Sequence, residues 1–340
     1  MNDQIFSQQF SEGIAAAYQA LYSAQNILLV SHQKPDGDTS GSAIAMAEIL
    51  ELAGKKVTLF CKDPLPEEFQ FLPKASEYVH EFRTSDYDMA MVFDAGSYKM
   101  IGIHEEKPEF FTGGIPLWNI DHHLSNEQYG TWNTVATDCA STTIVVAKIL
   151  RMLRWKITPK VATPLLMGLY TDTGSLMHSN ATADTHKEAS HLLAAGADLR
   201  TIVQCIFRTK TVGKLKLWGR ILSRATLGED LVTTSFVRER DFRETGGNMD
   251  DLTGVVDYLN AVPGAKLSLL LTERGDKVKG SLRTLAEEID VNEMAGVFGG
   301  GGHKKAAGFT VPGKLHLETR WRIASMKQGI PQNFNSVVMK

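Results

Sequence analysis

The chain lacks most of what would tie it to a membrane, an oxidising compartment or a long nucleic acid. No stretch approaches the ~18 consecutive apolar residues that a spanning helix needs, so no membrane partner is expected. The opening residues, Met1 to Glu12, are polar and have no signal-peptide pattern, which predicts a cytoplasmic protein. Cysteine is scarce: Cys61, Cys139 and Cys205 are scattered and odd in number, as expected of reduced thiols and not of a disulfide frame or a zinc knot. There is no basic surplus, since 36 Lys and Arg stand against 39 Asp and Glu. A protein that grips long nucleic acid usually carries one, so small or short anionic substrates are expected. Aromatic residues make up 8% and form no ladder for a long single strand. No internal repeat and no low-complexity segment appears. What remains is an ordinary globular composition, 43% hydrophobic and 22% charged over 340 residues, long enough for two domains.

Within that composition, three short apolar runs each end in polar residues. Ile27–Val30 leads into His32-Gln33-Lys34-Pro35-Asp36-Gly37-Asp38, Met89–Phe93 leads into Asp94-Ala95-Gly96, and Ile115–Ile120 leads into Asp121-His122-His123. Such runs read as buried strands of a parallel sheet. Ligands of open α/β sheets lie beyond the carboxyl ends of the strands, so the three strings converge on one rim. A fourth string, Tyr170-Thr171-Asp172-Thr173-Gly174, follows a helical segment.

Helices are predicted at 11–24, at about 40–53 (capped by Thr39 or Ser40 and ended by Gly54), at 141–153, 161–170 and 184–195; a further strand is expected at 57–61. Alternating strands and helices imply a doubly wound α/β domain over 1–197. A basic helical linker is expected over 198–224, with Arg200, Arg208, Lys210, Lys214, Lys216 and Arg220. Its charges read either as a solvated helix face or as a positive wall over a phosphate cleft. A smaller α+β domain follows over 225–328, with strands at 231–237, 266–272, 277–283 and 309–311 and helices at 250–259 and 291–297, and a tail over 329–340. The site is expected in the cleft between the two domains.

His32, Asp36, Asp38, Asp94, His122 and Asp172 offer four carboxylates and two imidazoles. A carboxylate such as Asp94 can bridge two cations, and a pair of cations would relieve the repulsion among the acids. Oxygen and nitrogen donors without thiolate suit manganese, or magnesium, iron or cobalt, better than structural zinc. Taken singly, each Asp at a strand end reads equally as a turn or helix cap. Ser141-Thr142-Thr143 reads as a helix start that could also line the site, and His178 as a loop histidine within reach of substrate. His80, His104, His186 and His191 read as solvated.

The order H-x-x-x-D-x-D, then D, then D-H-H, then D resembles the DHH phosphoesterase superfamily. The glycine run Gly299-Gly300-Gly301-Gly302 before His303 resembles the DHH-associated domain of its nuclease branch. The resemblance implies one cation on His32, Asp36 and Asp94 and a second on Asp38, Asp94, His122 and Asp172. It implies that His123 touches the scissile phosphate and that Asp121 orients a neighbouring histidine, so that His123, Asp94 and Asp121 form the catalytic group.

Consecutive glycines cost conformational entropy. Here they read either as a flexible turn or as an anion nest of free N–H groups, with Arg283 as a possible bidentate phosphate clamp. The resemblance places Ser281, Arg283, Gly300, Gly301, Gly302 and His303 on the substrate; Lys304 and Lys305 add charge. It further implies a hydrolase of short oligoribonucleotides that also removes the 3′-phosphate of adenosine 3′,5′-bisphosphate. Long duplex nucleic acid is not an expected partner, and a homodimer is compatible with the resemblance. A phosphodiesterase for cyclic dinucleotides (c-di-AMP or its linear product pApA) carries the same motifs. Inorganic pyrophosphatase fits less well, because its relatives lack the glycine–histidine domain. A non-catalytic nucleotide binder is disfavoured by the complete ligand set.

Overall fold

The computed structural model describes residues 8–207 and 210–316, in two compact units, Met1–Thr209 and Lys210–Lys340. The expected tail, 329–340, and Arg208 lie outside the described residues. The stretch expected as a linker divides between the units. No described helix is long and apolar enough to cross a membrane.

The first unit contains α1 (Gln8–Ser23), β1 (Asn26–Ser31), α2 (Gly37–Leu52), β2 (Lys56–Phe60), β3 (Met89–Phe93), β4 (Leu117–Asp121), β5 (Trp132–Val135), α3 (Thr142–Met152), α4 (Pro159–Asp172), α5 (Ala183–Ala194) and α6 (Leu199–Phe207). The five strands form one parallel sheet in the order β2-β1-β3-β4-β5. Strand order reverses between β1 and β3, and their carboxyl ends are in register, Ser31 beside Phe93. A crevice at such a switch point is the usual ligand position of an open α/β sheet. Side chains alternate along each strand. Ile27, Leu29, Met91 and Ile120 pack against α2, α3 and α4. Leu28, Val30, Val92 and Leu117 pack against Phe82, Ile101 and Phe110 from the irregular connections.

Helix α2 is buried on nearly all sides, and its polar residues Asp38, Thr39, Ser40 and Ser42 are buried with it. It starts three residues before the predicted position, because Asp36, not Thr39 or Ser40, caps it: the Asp36 carboxylate accepts from the amides of Asp38 and Thr39. The earlier start places Asp38 in the first helical turn. Gly41 lets α2 pass close to α4, since a Cβ there would lie 2.3 Å from the Pro164 carbonyl oxygen. Helix α4 continues through residue 172, so Asp172 sits in its last turn. Strand β5 was not foreseen; it is four residues long and polar at Asn133 and Thr134.

The second unit contains α7 (Val212–Ser223), β6 (Thr226–Leu227), β7 (Val232–Val237), α8 (Glu239–Thr245), α9 (Val255–Asn260), β8 (Leu267–Arg274), β9 (Lys277–Arg283), α10 (Val291–Gly296), β10 (Gly301–His303) and β11 (Ala306–Pro312). Its mixed sheet runs β10-β11-β9-β8-β7-β6, with only β7 and β8 parallel. Leu217, Trp218, Ile221, Val255 and Leu259 of α7 and α9 pack on Leu270. Val291 and Ala295 of α10 pack on the opposite face, on Leu282 and Ala307. The helix predicted over 250–259 is broken at Gly254, whose φ is +91°. Helix α8 and strand β10 were not foreseen.

Candidate metal centre

His32, Asp94, His122 and His123 follow directly on the ends of β1, β3 and β4. Asp36 and Asp38 flank the start of α2, and Asp172 ends α4. The fold brings all six predicted metal ligands together. In two groups, His32–Asp36–Asp94 and Asp38–His122–Asp172, one donor atom of each residue lies within 4.8 Å of the others. Asp94 joins them: its Oδ2 is 3.6 Å from His32 Nε2, and its Oδ1 is 3.5 Å from His122 Nε2. The remaining separations are 3.7 Å (His32–Asp36), 3.8 Å (His122–Asp172) and 3.9 Å (His122–Asp38). These are too long for hydrogen bonds. They approach the roughly 3–3.5 Å between donors that share a cation at about 2.1 Å.

The imidazoles are set for ligation. His32 Nδ1 lies 2.8 Å from the Gln33 carbonyl oxygen, and His122 Nδ1 lies 3.3 Å from that of Cys139. A carbonyl only accepts, so Nδ1 is the protonated nitrogen of each neutral ring, which leaves the Nε2 lone pair for a cation. His123 differs. Its Nδ1 donates to Asp121 Oδ1 at 2.8 Å, and Asp121, fully buried, also accepts from the His122 amide and from Asn126. Asp121 therefore orients His123, not His122.

Backbone amides hold the acids. Asp38, buried, accepts from the amides of Thr142 (2.6 Å) and Thr143 (2.9 Å) at the start of α3, where the helix dipole favours a negative charge. Asp94 is a left-handed residue, φ +60°, at the end of a fully buried strand. Such strain gathers at functional sites. After Asp172 the chain passes three successive left-handed residues, Gly174, Ser175 and Leu176. Thr39 ties the β1 and β3 ends together, donating to the Phe93 carbonyl and accepting from the His32 amide.

The charges strain one another when no cation neutralises them. Burial, then the charge of Asp38, pushes Asp94 well above the ordinary carboxylate range. Burial, then Asp38 and Asp36, pushes Asp172 up to about 8. Burial opposes charge on His32, yet Asp36 and Asp94 push it up to about 11. The hydrogen bond to Asp121 raises His123 to about 9, against burial and with help from the Asp94 charge. Repelling acids, imidazoles with oriented lone pairs and the absence of thiolate fit a pair of divalent cations.

Among the weaker candidates, Ser141 caps α3, while Thr142 and Thr143 do line the site. Thr142, Thr143, Asn126 and the Cys139 carbonyl are the participants that motif spacing did not single out. Only the helix-start pattern at 141–143 pointed toward any of them. His178 is exposed and its ring lies over Gly174. His80, His186 and His191 are exposed as expected, but His104 is half-buried against Tyr98. In the basic stretch at 198–224, Lys210 and Lys214 lie over Trp218 and Arg220 bonds Asp241 and Glu244, while Arg200 and Lys216 are exposed.

In the second unit the register brings Ser281, Arg283, Gly301 and His303 onto one sheet face. Arg283 pairs with Ala306, which pairs with His303, and Ser281 pairs with Gly308, which pairs with Gly301. Directly paired residues share a face, so the small residues 301, 306 and 308 form a low floor between polar side chains. Lys279, two residues from Ser281, points to the same side. Burial, then Arg274 and Arg283, pushes its ammonium below the usual range. The glycines do not form a nest of free amides. Gly299, Gly300 and Gly302 donate to Gly296, Ala295 and Asn292, and a Cβ at Gly300 or Gly302 would strike β11.

The model of the DHH family, N-terminal domain, matches residues 26–169, and that of the DHHA1 domain matches residues 230–322. The bifunctional oligoribonuclease and PAP phosphatase NrnA of Thermus thermophilus is 30% identical over 292 residues, covering 84% of this chain and 84% of that protein. Its namesake in Bacillus subtilis is 24% identical, covering 84% and 89%. An exopolyphosphatase-related protein of Bacteroides fragilis has the same fold, with a TM-score of 0.82 at 23% identity, over 89% of this chain and 92% of that one.

Proposed function

The chain belongs to the DHH family and carries a DHHA1 domain. From that premise we propose that it is a phosphoesterase that hydrolyses short oligoribonucleotides to mononucleotides and removes the 3′-phosphate of adenosine 3′,5′-bisphosphate. The observation that carries this reading is the pair of ligand groups joined through Asp94. His32, Asp36 and Asp94 would hold one divalent cation, and Asp38, Asp94, His122 and Asp172 a second. Manganese is the ion that the mixed donors suit best. Bound cations supply Lewis acidity to the phosphoryl oxygens and lower the pKa of water.

The chain's own groups do the rest. The Nδ1–H of His123 is committed to Asp121, which favours the charged form of the ring. In that charged form its Nε2–H donates to a phosphoryl oxygen as charge grows there. Asp121 keeps that ring in place and stabilises its charge. In the second unit Arg283 offers a planar pair of donors to a phosphate. Ser281, His303 and Lys279 flank it, and the low floor admits a close approach. The names of the relatives at 30% and 24% identity point to the substrates, and the lack of a basic surplus agrees with short ones.

The test is one panel: purified protein with manganese, offered pApA, a ribotrinucleotide, adenosine 3′,5′-bisphosphate, c-di-AMP and pyrophosphate. Turnover of the first three is expected. Faster turnover of c-di-AMP than of pApA would assign a cyclic-dinucleotide phosphodiesterase instead. Binding without any turnover would assign a nucleotide-binding relative.

A further inference from the structure

We propose that Thr142 is a positioning residue that decides which oxygen of Asp94 serves which cation. The inference rests on the two-cation reading above and deepens it.

A carboxylate's two oxygens are equivalent, and its terminal torsion is broad and roughly two-fold. A bridging aspartate therefore needs something outside itself to hold its plane. The two oxygens of Asp94 face different imidazoles: Oδ2 is 3.6 Å from His32 Nε2, and Oδ1 is 3.5 Å from His122 Nε2. The Thr142 hydroxyl donates to Oδ1 at 3.0 Å. Among the described residues it is the only hydroxyl that bonds Asp94. Thr142 is fully buried, so water does not compete for that bond. Its amide donates at 2.6 Å to Asp38 Oδ2, the oxygen nearest His122.

One residue thus grips Asp38 and the bridging Asp94, each by the oxygen that faces His122, and leaves the Asp94 oxygen that faces His32 untouched. Its backbone position is set by the Ser141 cap of α3, so the hydroxyl arrives from a rigid element. Losing the hydroxyl should loosen the cation held by Asp38, His122 and Asp172, and spare the one held by His32 and Asp36.

The experiment is a manganese titration of the metal-free full chain, read by calorimetry and by electron paramagnetic resonance. Wild type should take up two equivalents and show a spin-coupled pair. Thr142→Val keeps the side chain's shape and the amide bond to Asp38. It should retain one equivalent at wild-type affinity and bind the other about 10–100-fold more weakly. At two equivalents its coupled signal should give way to that of isolated ions, and Thr142→Ser should restore both. Melting in EDTA checks that the valine variant is folded. Wild type with two equivalents and a valine variant identical to it would overturn the role of Thr142. So would equal weakening of both equivalents that serine does not rescue. Fewer than two equivalents in wild type would overturn the two-cation reading itself, and this inference with it.

Discussion

Gly168 of α4 lies directly against Asp38 of α2. A Cβ at residue 168 would sit 3.0 Å from both the Cα and Oδ1 of Asp38, and 2.4 Å from Thr143 Cγ2. The helix–helix contact that buries the centre of the first unit thus also seats a candidate ligand. Gly168→Ala should displace the Thr143 side chain and press on Asp38 at its Cα and Oδ1. Overpacking of this kind costs about 1–3 kcal/mol, a fall of a few degrees in melting temperature. Manganese binding should weaken with it. Calorimetry on the alanine variant checks both, and an unchanged manganese affinity would show that Asp38 is not seated this way.

Asp94→Asn should separate stability from function. The substitution removes a carboxyl whose ionised form burial and the Asp38 charge disfavour, and Asn tolerates the left-handed backbone that Asp94 adopts. The metal-free variant should therefore melt at or above wild type. Manganese should no longer stabilise it, and turnover should fall on the order of 10³-fold, about 4 kcal/mol in the barrier. Melting curves with EDTA and with manganese, alongside a rate assay, decide it.

The metal-free protein should lose stability as pH rises. Asp172 is pushed up to about 8 in the native state, from about 3.9 when unfolded. Between those values the native state holds a proton that the unfolded chain releases. That contribution is complete below about pH 4 and is lost as pH rises through about 8. The raised values of His123 and His32 act in the same sense, through about 9 and about 11. In EDTA the melting temperature should fall between about pH 5 and 8, and Asp172→Asn should flatten that slope. Excess manganese should reverse the slope, because ligation displaces protons.

Arg283→Ala should act on substrate binding. Charge-assisted hydrogen bonds contribute about 1.5–3 kcal/mol, so KM for a ribotrinucleotide should rise about 10–100-fold. Arg283→Lys should not restore it, because an ammonium cannot reproduce the planar fork. Manganese uptake should stay at the wild-type level, which separates this residue from the metal centre.

The candidate ligands were legible because His32, Asp94 and His122 follow apolar runs that read as buried strands, Asp36 and Asp38 lie in the loop after the first of these, and Asp172 ends a helical segment. His32, Asp94 and His122 were placed at the rim by that pattern alone, and the register of Ser31 beside Phe93 agrees. The start of α2 was misplaced because Asp36, Thr39 and Ser40 are all competent caps, and only the folded loop selects among them. Strand β10 was hidden for the opposite reason. Glycine runs carry no strand pattern, and it is pairing with β11 that extends them.

Residue types and their order along the chain were enough to point to the chemistry: four acids and two imidazoles at strand and helix ends, with no thiolate among them and no basic surplus in the chain. Those are local properties, set by composition and periodicity. The tertiary structure alone decided the partners. The Cys139 carbonyl fixes the His122 tautomer across 17 positions, and the Thr142 amide reaches Asp38 across 104. Gly299, Gly300 and Gly302 spend their amides inside the protein rather than on an anion. Hydrogen bonds across such separations depend on how helices pack on a sheet, and no spacing along the chain encodes that.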